Sequence, residues 1–266
     1  MTIRLVAFDL DGTIFDRHGI APEYADTVAR LATQGVHCVI NSGRSVGFQL
    51  DLLTEHDLMQ HFTALIGDER WVHLADTTGT EPKLQPLEPW NTEVRAGWAE
   101  LGPIAEHWCG LLEEQTRQRG WASRAYDRET GQRRGIWAIS VETAEGAQEL
   151  ATWLQPQLTG SPLACNSNGT IVHVFDAERD KGTSLAALAE HLGLRNDEVM
   201  AFGDGYNDRP MLDGRHGFAS ATVANANEDV KSWVRDAGGR IAGSDCGVGV
   251  AELLTEVFPP RAAATA

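Results

Sequence analysis

Short apolar runs that end abruptly in acids, glycine or serine alternate, near both ends of the chain, with stretches of helical period. Ile3-Arg4-Leu5-Val6-Ala7-Phe8 stops at two acids and a glycine, the pattern of a buried strand entering a loop. Over residues 22–34, Ala25, Val28, Leu31 and Ala32 recur on one face, with Pro22 suited to a first turn and Gly35 to an end. Residues 36–40 predict a second strand, a helix follows to about residue 57, and residues 64–66 predict a third strand. The same rhythm returns late in the chain. Residues 181–192 place Leu185, Leu188, Ala189 and Leu192 on one helical side, residues 198–202 read as a buried strand, and residues 228–236 and 248–257 as helices. This alternation predicts an α/β fold with a mostly parallel sheet covered by helices.

The middle of the chain has another grammar. Pro82, Pro86 and Pro89 crowd one stretch and read as a linker. Residues 91–118 predict a long helix, 121–126 and 135–141 two strands joined by a polar loop, and 144–154 a helix. Residues 162–166 and 170–175 predict a hairpin about Asn168-Gly169, a strong turn pair. The order α-β-β-α-β-β implies a largely antiparallel sheet in an inserted α+β domain. The expected division is a first domain of residues 1–83 and 173–258, an insert of 84–172, and a flexible tail of 259–266.

With 266 residues, 42% of them hydrophobic and 23% charged, the chain has room for two such units and the composition of a folded protein. Its formal charge of −16 opposes binding to nucleic acid or anionic lipid. No apolar run approaches the ~20 residues that span a bilayer, and no export signal is read, so the expected compartment is the cytoplasm. Cys38, Cys109, Cys165 and Cys246 form no CxxC pair, which argues against a zinc site or a disulfide framework.

Three polar clusters fall at the carboxyl ends of expected parallel strands, where open α/β sheets bind ligands. They are Asp9-Leu10-Asp11-Gly12-Thr13, Ser42-Gly43-Arg44, and Gly203-Asp204-Gly205-Tyr206-Asn207-Asp208. Asp9 and Asp11, two apart, point to one side of an extended segment. Together with Asp204 and Asp208 they make an oxygen-only set suited to a hard cation such as Mg²⁺; solvated loop aspartates are the plain alternative. Lys181 opens a helix, where the dipole opposes a cation unless an anion such as Asp9 or a phosphate lies near; pairing with Asp180 at the surface is the alternative. Ser42, before Gly43, suits either a helix cap or a phosphate held by hydroxyl and amide groups.

These segments, in order with Lys181-Gly182, resemble the four motifs of the haloacid dehalogenase (HAD) superfamily. The insert is similar to the C2 cap of its IIB members, the Cof-like and sucrose-phosphatase-like phosphatases. Asn225-Ala226, Val230-Lys231 and Gly247-Val248 also resemble their C-terminal pattern. The resemblance implies a Rossmann-like core with a capping α+β domain and a Mg²⁺-dependent phosphatase acting on a small phosphomonoester, such as a sugar phosphate or related metabolite. It implies that Asp9 is the nucleophile and Asp11 the general acid and base. It implies a cation held by Asp9, the backbone carbonyl of Asp11 and Asp204, with Asp208 in support. Ser42, Gly43, Lys181 and Asn207 would bind the phosphoryl oxygens. Two segments depart from common members: Phe15-Asp16-Arg17-His18, and Asp245-Cys246 before Gly247. Both are expected to border the site.

Six of the eight tryptophans fall in the insert, where a small core accounts for them as well as stacking on a ligand does. Arg124, Arg128, Arg133 and Arg134 are candidates for a second anionic group on the substrate, or for a solvated loop. Two other functions stay open. A phosphomutase would pass the phosphoryl group to product rather than water, and a non-catalytic module would bind phosphate without turnover. Dehalogenation is disfavoured because it has no use for Asp11, and an ion pump because membrane helices are absent.

Overall fold

The computed structural model describes residues 2–79 and 82–260. The first part of the chain forms β1 (Leu5–Phe8), a small hairpin of β2 (Phe15–Asp16) and β3 (Gly19–Ile20), α1 (Pro22–Thr33), β4 (His37–Asn41), α2 (Val46–Glu55), β5 (Phe62–Gly67), β6 (Trp71–Asp76) and β7 (Lys83–Pro86). The middle forms α3 (Trp90–Gln118), β8 (Ser123–Ala125), α4 (Arg128–Arg134), β9 (Trp137–Val141), α5 (Ala144–Leu154), β10 (Leu163–Asn168) and β11 (Ile171–Asp176). The last part forms α6 (Lys181–His191), β12 (Val199–Phe202), α7 (Arg209–Leu212), β13 (Ala219–Thr222), α8 (Glu228–Asp236), β14 (Arg240–Ile241) and α9 (Cys246–Val257). No described helix is long and apolar enough to cross a membrane.

The large sheet runs β14-β13-β12-β1-β4-β5-β6-β7. It is parallel from β14 to β5, and β6 and β7 add antiparallel strands at one edge. β1 is central and buried at all four positions, as a strand flanked on both faces requires. Its last residue, Phe8, is in register with Ile40 of β4 and Phe202 of β12. The chain therefore leaves three neighbouring strands at one level, which delivers Asp9, Asn41-Ser42 and Gly203-Asp204 to one edge.

The four strands of the second sheet are ordered β10-β11-β9-β8 and all antiparallel. Alternation sorts its side chains. Leu163, Cys165, Val172, Val174, Trp137 and Ile139 are buried in one cluster with Trp98 and Leu112 of α3 and Leu150 and Leu154 of α5. Ala164, Asn166, His173 and Phe175 therefore occupy the opposite face. Trp98 and Trp137 serve this core, each donating its indole N–H to a carbonyl, of Gly131 at 3.2 Å and of Gly102 at 2.9 Å.

Three expectations change. The proline stretch is not a linker: β6 and β7 extend the large sheet, and Pro86, which has no N–H to give, lies on its edge strand. The polar loop between the expected strands is the seven-residue helix α4. Asp127 caps it by accepting from the Thr130 amide, and Gly135 closes it at φ 68°. The expected junctions after residues 83 and 172 fall inside β7 and β11, and strand pairing carries these to Pro86 and Asp176. Of the expected tail, residues 261–266 lie outside the described residues.

Candidate active site

Asp9 follows β1 directly, and its amide donates to Phe202 O at 2.9 Å, so its side chain is placed by the sheet itself. Lys181, the first residue of α6, is fully buried and bonds the Asp9 carboxylate at 2.5 Å and that of Asp208 at 2.6 Å. The conflict between cation and helix dipole is thus resolved by two anions. Asp180 does not pair with Lys181; it caps α6 by accepting from the Gly182 and Thr183 amides. Both oxygens of Asp208 are committed, one to Lys181 and the other to the amides of Asp204 and Gly205 at 3.0 and 2.9 Å.

Asp9, Asp204 and Asp208 each offer an oxygen within 4.8 Å of the others. Asp204 also accepts from Thr13 Oγ1 at 2.9 Å. Gly12, at φ 80°, permits this closeness, since a Cβ there would lie 2.3 Å from an Asp204 oxygen. Burial raises the Asp9 pKa well above the ordinary carboxylate value, and the Asp208 and Asp204 charges raise it further against the pull of Lys181. Burial and Asp208 push Asp204 up to about 7. Burial presses the Lys181 ammonium downward, but Asp208, Asp9 and Glu69 together outweigh it and keep the lysine charged. A surplus of buried carboxylates over cations, all oxygen donors, fits a divalent hard ion.

Ser42 is buried beside this cluster, its amide bonded to Ile66 O at 3.0 Å. Asn207 is also buried and donates to Glu69 Oε1 at 2.9 Å. Space above Gly43 is bounded by the same Glu69 oxygen and by Asn168 Nδ2, 3.4 and 3.9 Å from where a Cβ would sit. The turn between β10 and β11 thus roofs the cradle.

The Asp11 side chain does not join the carboxylate cluster. Arg44 donates two hydrogen bonds to it, 2.8 Å each, at a half-exposed position near the mouth. Beside Gly12, Asp16, His18, Ser244, Asp245 and Cys246 line a cavity of about 500 Å³, so the two departing segments do come together. Cys246 donates its thiol to Gly12 O at 3.2 Å, and Asn225 donates to the same oxygen at 2.8 Å.

The four candidate arginines separate. Arg134 is a strut: it bonds Asp68 and Tyr126 and donates to Gly43 O at 3.0 Å. Arg133 lines a cavity of about 340 Å³ with Arg44, Phe48 and Asp68. Arg128 is exposed and lies 3.7 Å from Glu106. Arg124 is on β8, and its carbonyl accepts from Ser140 Oγ.

Sequence reasoning missed Glu69 and Arg70, both buried in the turn between β5 and β6. Arg70 donates to Asp68 O at 2.7 Å and across to Gly135 O at 2.6 Å. Two charged residues in a turn carry the ordinary signature of a solvated surface. The one local signal is the apolar run at residues 64–66 just before the turn.

Comparison with known proteins adds four findings. A family model described as haloacid dehalogenase-like hydrolase matches residues 6–68 and 119–254. A phosphoglycolate phosphatase of Methanospirillum hungatei is 24% identical over 258 residues, 97% of each chain. A 5-amino-6-(5-phospho-D-ribitylamino)uracil phosphatase of Bacillus subtilis is 25% identical over 237 residues, 86% of this chain and 87% of that one. In fold, the sucrose-phosphatase of Synechocystis superposes with a TM-score of 0.66 at 18% identity, covering 97% of this chain and 98% of that chain.

Proposed function

Because this chain belongs to the haloacid dehalogenase-like hydrolases, we propose that it is a Mg²⁺-dependent phosphatase of a small phosphomonoester, a sugar phosphate or related metabolite, working through an aspartyl-phosphate on Asp9. The observation that carries this reading is the Asp9 carboxylate, fixed at the end of β1 against Lys181 and Asp204 under the Ser42–Gly43 cradle.

In the first step an Asp9 oxygen bonds to phosphorus as the ester oxygen leaves, and Asp11 gives that oxygen its proton. In the second, water attacks the same phosphorus, Asp11 takes the water proton, and Asp9 is released with inorganic phosphate. Arg44 pairs with the ionised Asp11 that the first step produces. Ser42, the Gly43 amide, Lys181 and Asn207 hold the phosphoryl oxygens. Asp9, Asp204 and the Asp11 carbonyl are the ligands for Mg²⁺, and Asp208 fixes the loop that carries Asp204. Bound Mg²⁺ supplies the positive charge that lets a carboxylate approach an anionic phosphoryl group.

Magnitudes explain why so many charges converge. Monoester hydrolysis can demand roughly 28 kcal/mol of barrier reduction. General acid–base help supplies about 10²–10⁴ in rate, so positioning and charge neutralisation must supply the rest.

The test is phosphate release from a panel of phosphorylated sugars, sugar acids and cofactors, with Mg²⁺ and with EDTA. Release that needs Mg²⁺ supports the reading. Phosphoryl transfer between sugar isomers without free phosphate would replace it with a mutase, and phosphate binding without turnover of any compound would replace it with a binding module.

A further inference from the structure

Glu69 lies in the turn between β5 and β6, outside every segment expected to hold the phosphoryl group, yet it bonds all three of them. Its amide donates to Ser42 O at 3.0 Å. Its carbonyl accepts from Ser184 Oγ at 3.0 Å, in the same first turn of α6 that Lys181 opens. Its Oε1 accepts from Asn207 Nδ2 at 2.9 Å. Asp68 lengthens the seam, its amide donating to Arg44 O at 3.0 Å.

This arrangement is costly for the fold. Asp68 and Glu69 are consecutive non-glycine residues at φ 49° and 68°, the left-handed region that favours glycine. Glu69 is also 1% exposed, a buried carboxyl beside a cradle that is to receive an anion. Strain of this kind persists where the side chain it presents is used. Arg70 Nη2 faces the second carboxyl oxygen at 4.0 Å. Burial raises the Glu69 pKa from the ordinary carboxylate value, against the pull of Lys181, Arg70 and the Asn207 hydrogen bond. The bond to Asn207 stands in either charge state, since a proton on Oε2 leaves Oε1 an acceptor.

We infer that Glu69 is a positioning residue for phosphoryl binding, and that it works by fixing the Asn207 amide with nitrogen rather than oxygen available to the anion. The inference rests on the phosphoryl cradle of the phosphatase reading and deepens it. An asparagine amide carries donors at one end and an acceptor at the other, and rotation about its last bond exchanges them. Glu69 Oε1 selects the nitrogen end. The Asn207 Oδ1 is then turned beside Gly205, 2.8 Å from where a Cβ there would sit. One N–H of Nδ2 is committed to Glu69, and the second is left for a phosphoryl oxygen. With the amide reversed, Oδ1 would meet that oxygen as acceptor against acceptor. The backbone bonds of Glu69 meanwhile tie the Ser42 loop to α6, so the hydroxyl, the lysine and the amide keep one spacing.

The test is a double-mutant cycle read by the Kd of inorganic phosphate, measured by titration calorimetry in Mg²⁺ on the parent, Glu69→Met, Asn207→Ala and the double variant. Glu69→Met keeps the side-chain length and loses the acceptor, and is expected to weaken phosphate binding about tenfold. In the Asn207→Ala background the same change is expected to move Kd by less than about twofold, because the group it acts through is gone. Glu69→Gln keeps an acceptor and is expected to stay within about threefold of the parent. If Glu69→Met fails to fold, Glu69→Gly, which suits the backbone at φ 68°, reads the same cycle. A Kd that Glu69→Met leaves unchanged, an equal loss with and without the Asn207 amide, or a Glu69→Gln variant as weak as Glu69→Met each overturns the inference. A coupled cycle in a protein that hydrolyses no ester supports the inference and overturns the phosphatase reading. No phosphate binding by the parent overturns both.

Discussion

On the floor of the site Lys181 reaches two carboxylates and Asp208 bonds two amides besides, so the buried groups largely satisfy one another. On the roof Arg70, Asn166 and His173 each leave one polar atom unmet. Lys181, Asp208 and Arg70 are each almost fully buried, and burial makes an unmet polar group expensive. The difference lies in how far the chain itself supplies the partners. The floor is assembled before any ester enters, as a site must be whose task is the same for every phosphoryl group. The roof keeps polar atoms that no group of the chain satisfies.

Removing Lys181 attacks the floor hardest. Lys181→Met leaves Asp9 and Asp208 buried without their shared cation, and urea denaturation in EDTA is expected to show a loss of about 3–5 kcal/mol. An unchanged midpoint would mean that the floor is not held by charge. Arg134→Ala strikes the strut between roof and floor, freeing Gly43 O and Asp68. It is expected to cost about 1–3 kcal/mol and to raise KM more than it lowers kcat. Lysine at the same position should restore little, because it lacks the planar fork.

A gentler probe is pH. Asp204 has a folded pKa of about 7 against 3.8 for the free group, so the folded chain binds the extra proton between these values. Its contribution to stability is full below about pH 4 and is lost as pH rises through 7, when the buried carboxylate must ionise. A cation that neutralises it removes this loss. The increase in Tm on adding Mg²⁺ is therefore expected to be larger at pH 8 than at pH 5, and the reverse order would argue against Asp204 as a ligand. Arg128→Ala, at an exposed pair with Glu106, is expected to change stability by less than about 0.5 kcal/mol and leave substrate preference untouched.

The floor was legible in the sequence because each part is a short local pattern. Asp9, Ser42 and Asp204 follow apolar runs that read as neighbouring parallel strands, and strand register does the rest. The roof was not legible. Asn166 and His173 face each other only because of hairpin register, and nothing local marks them as unpartnered. Arg70 is a charged residue in a turn, enclosed only because the Gly135 segment folds over it. The loop arginines misled for a related reason: Arg134 lies in a charged run, yet its partners are about 66 and 91 residues away in sequence. Even Arg44, inside a recognised motif, gave no sign that its partner would be Asp11.

Asp9 is the group proposed to take the phosphoryl. The most direct measurement is rapid acid quench of the protein during turnover of a ³²P-labelled sugar phosphate with Mg²⁺, followed by peptide mapping. Label is expected on the peptide that contains Asp9 and is expected to vanish, with turnover, in a folded Asp9→Asn variant. Steady turnover with no label on that peptide, and an Asp9→Asn variant that still hydrolyses the ester at a near-parent rate, would contradict it.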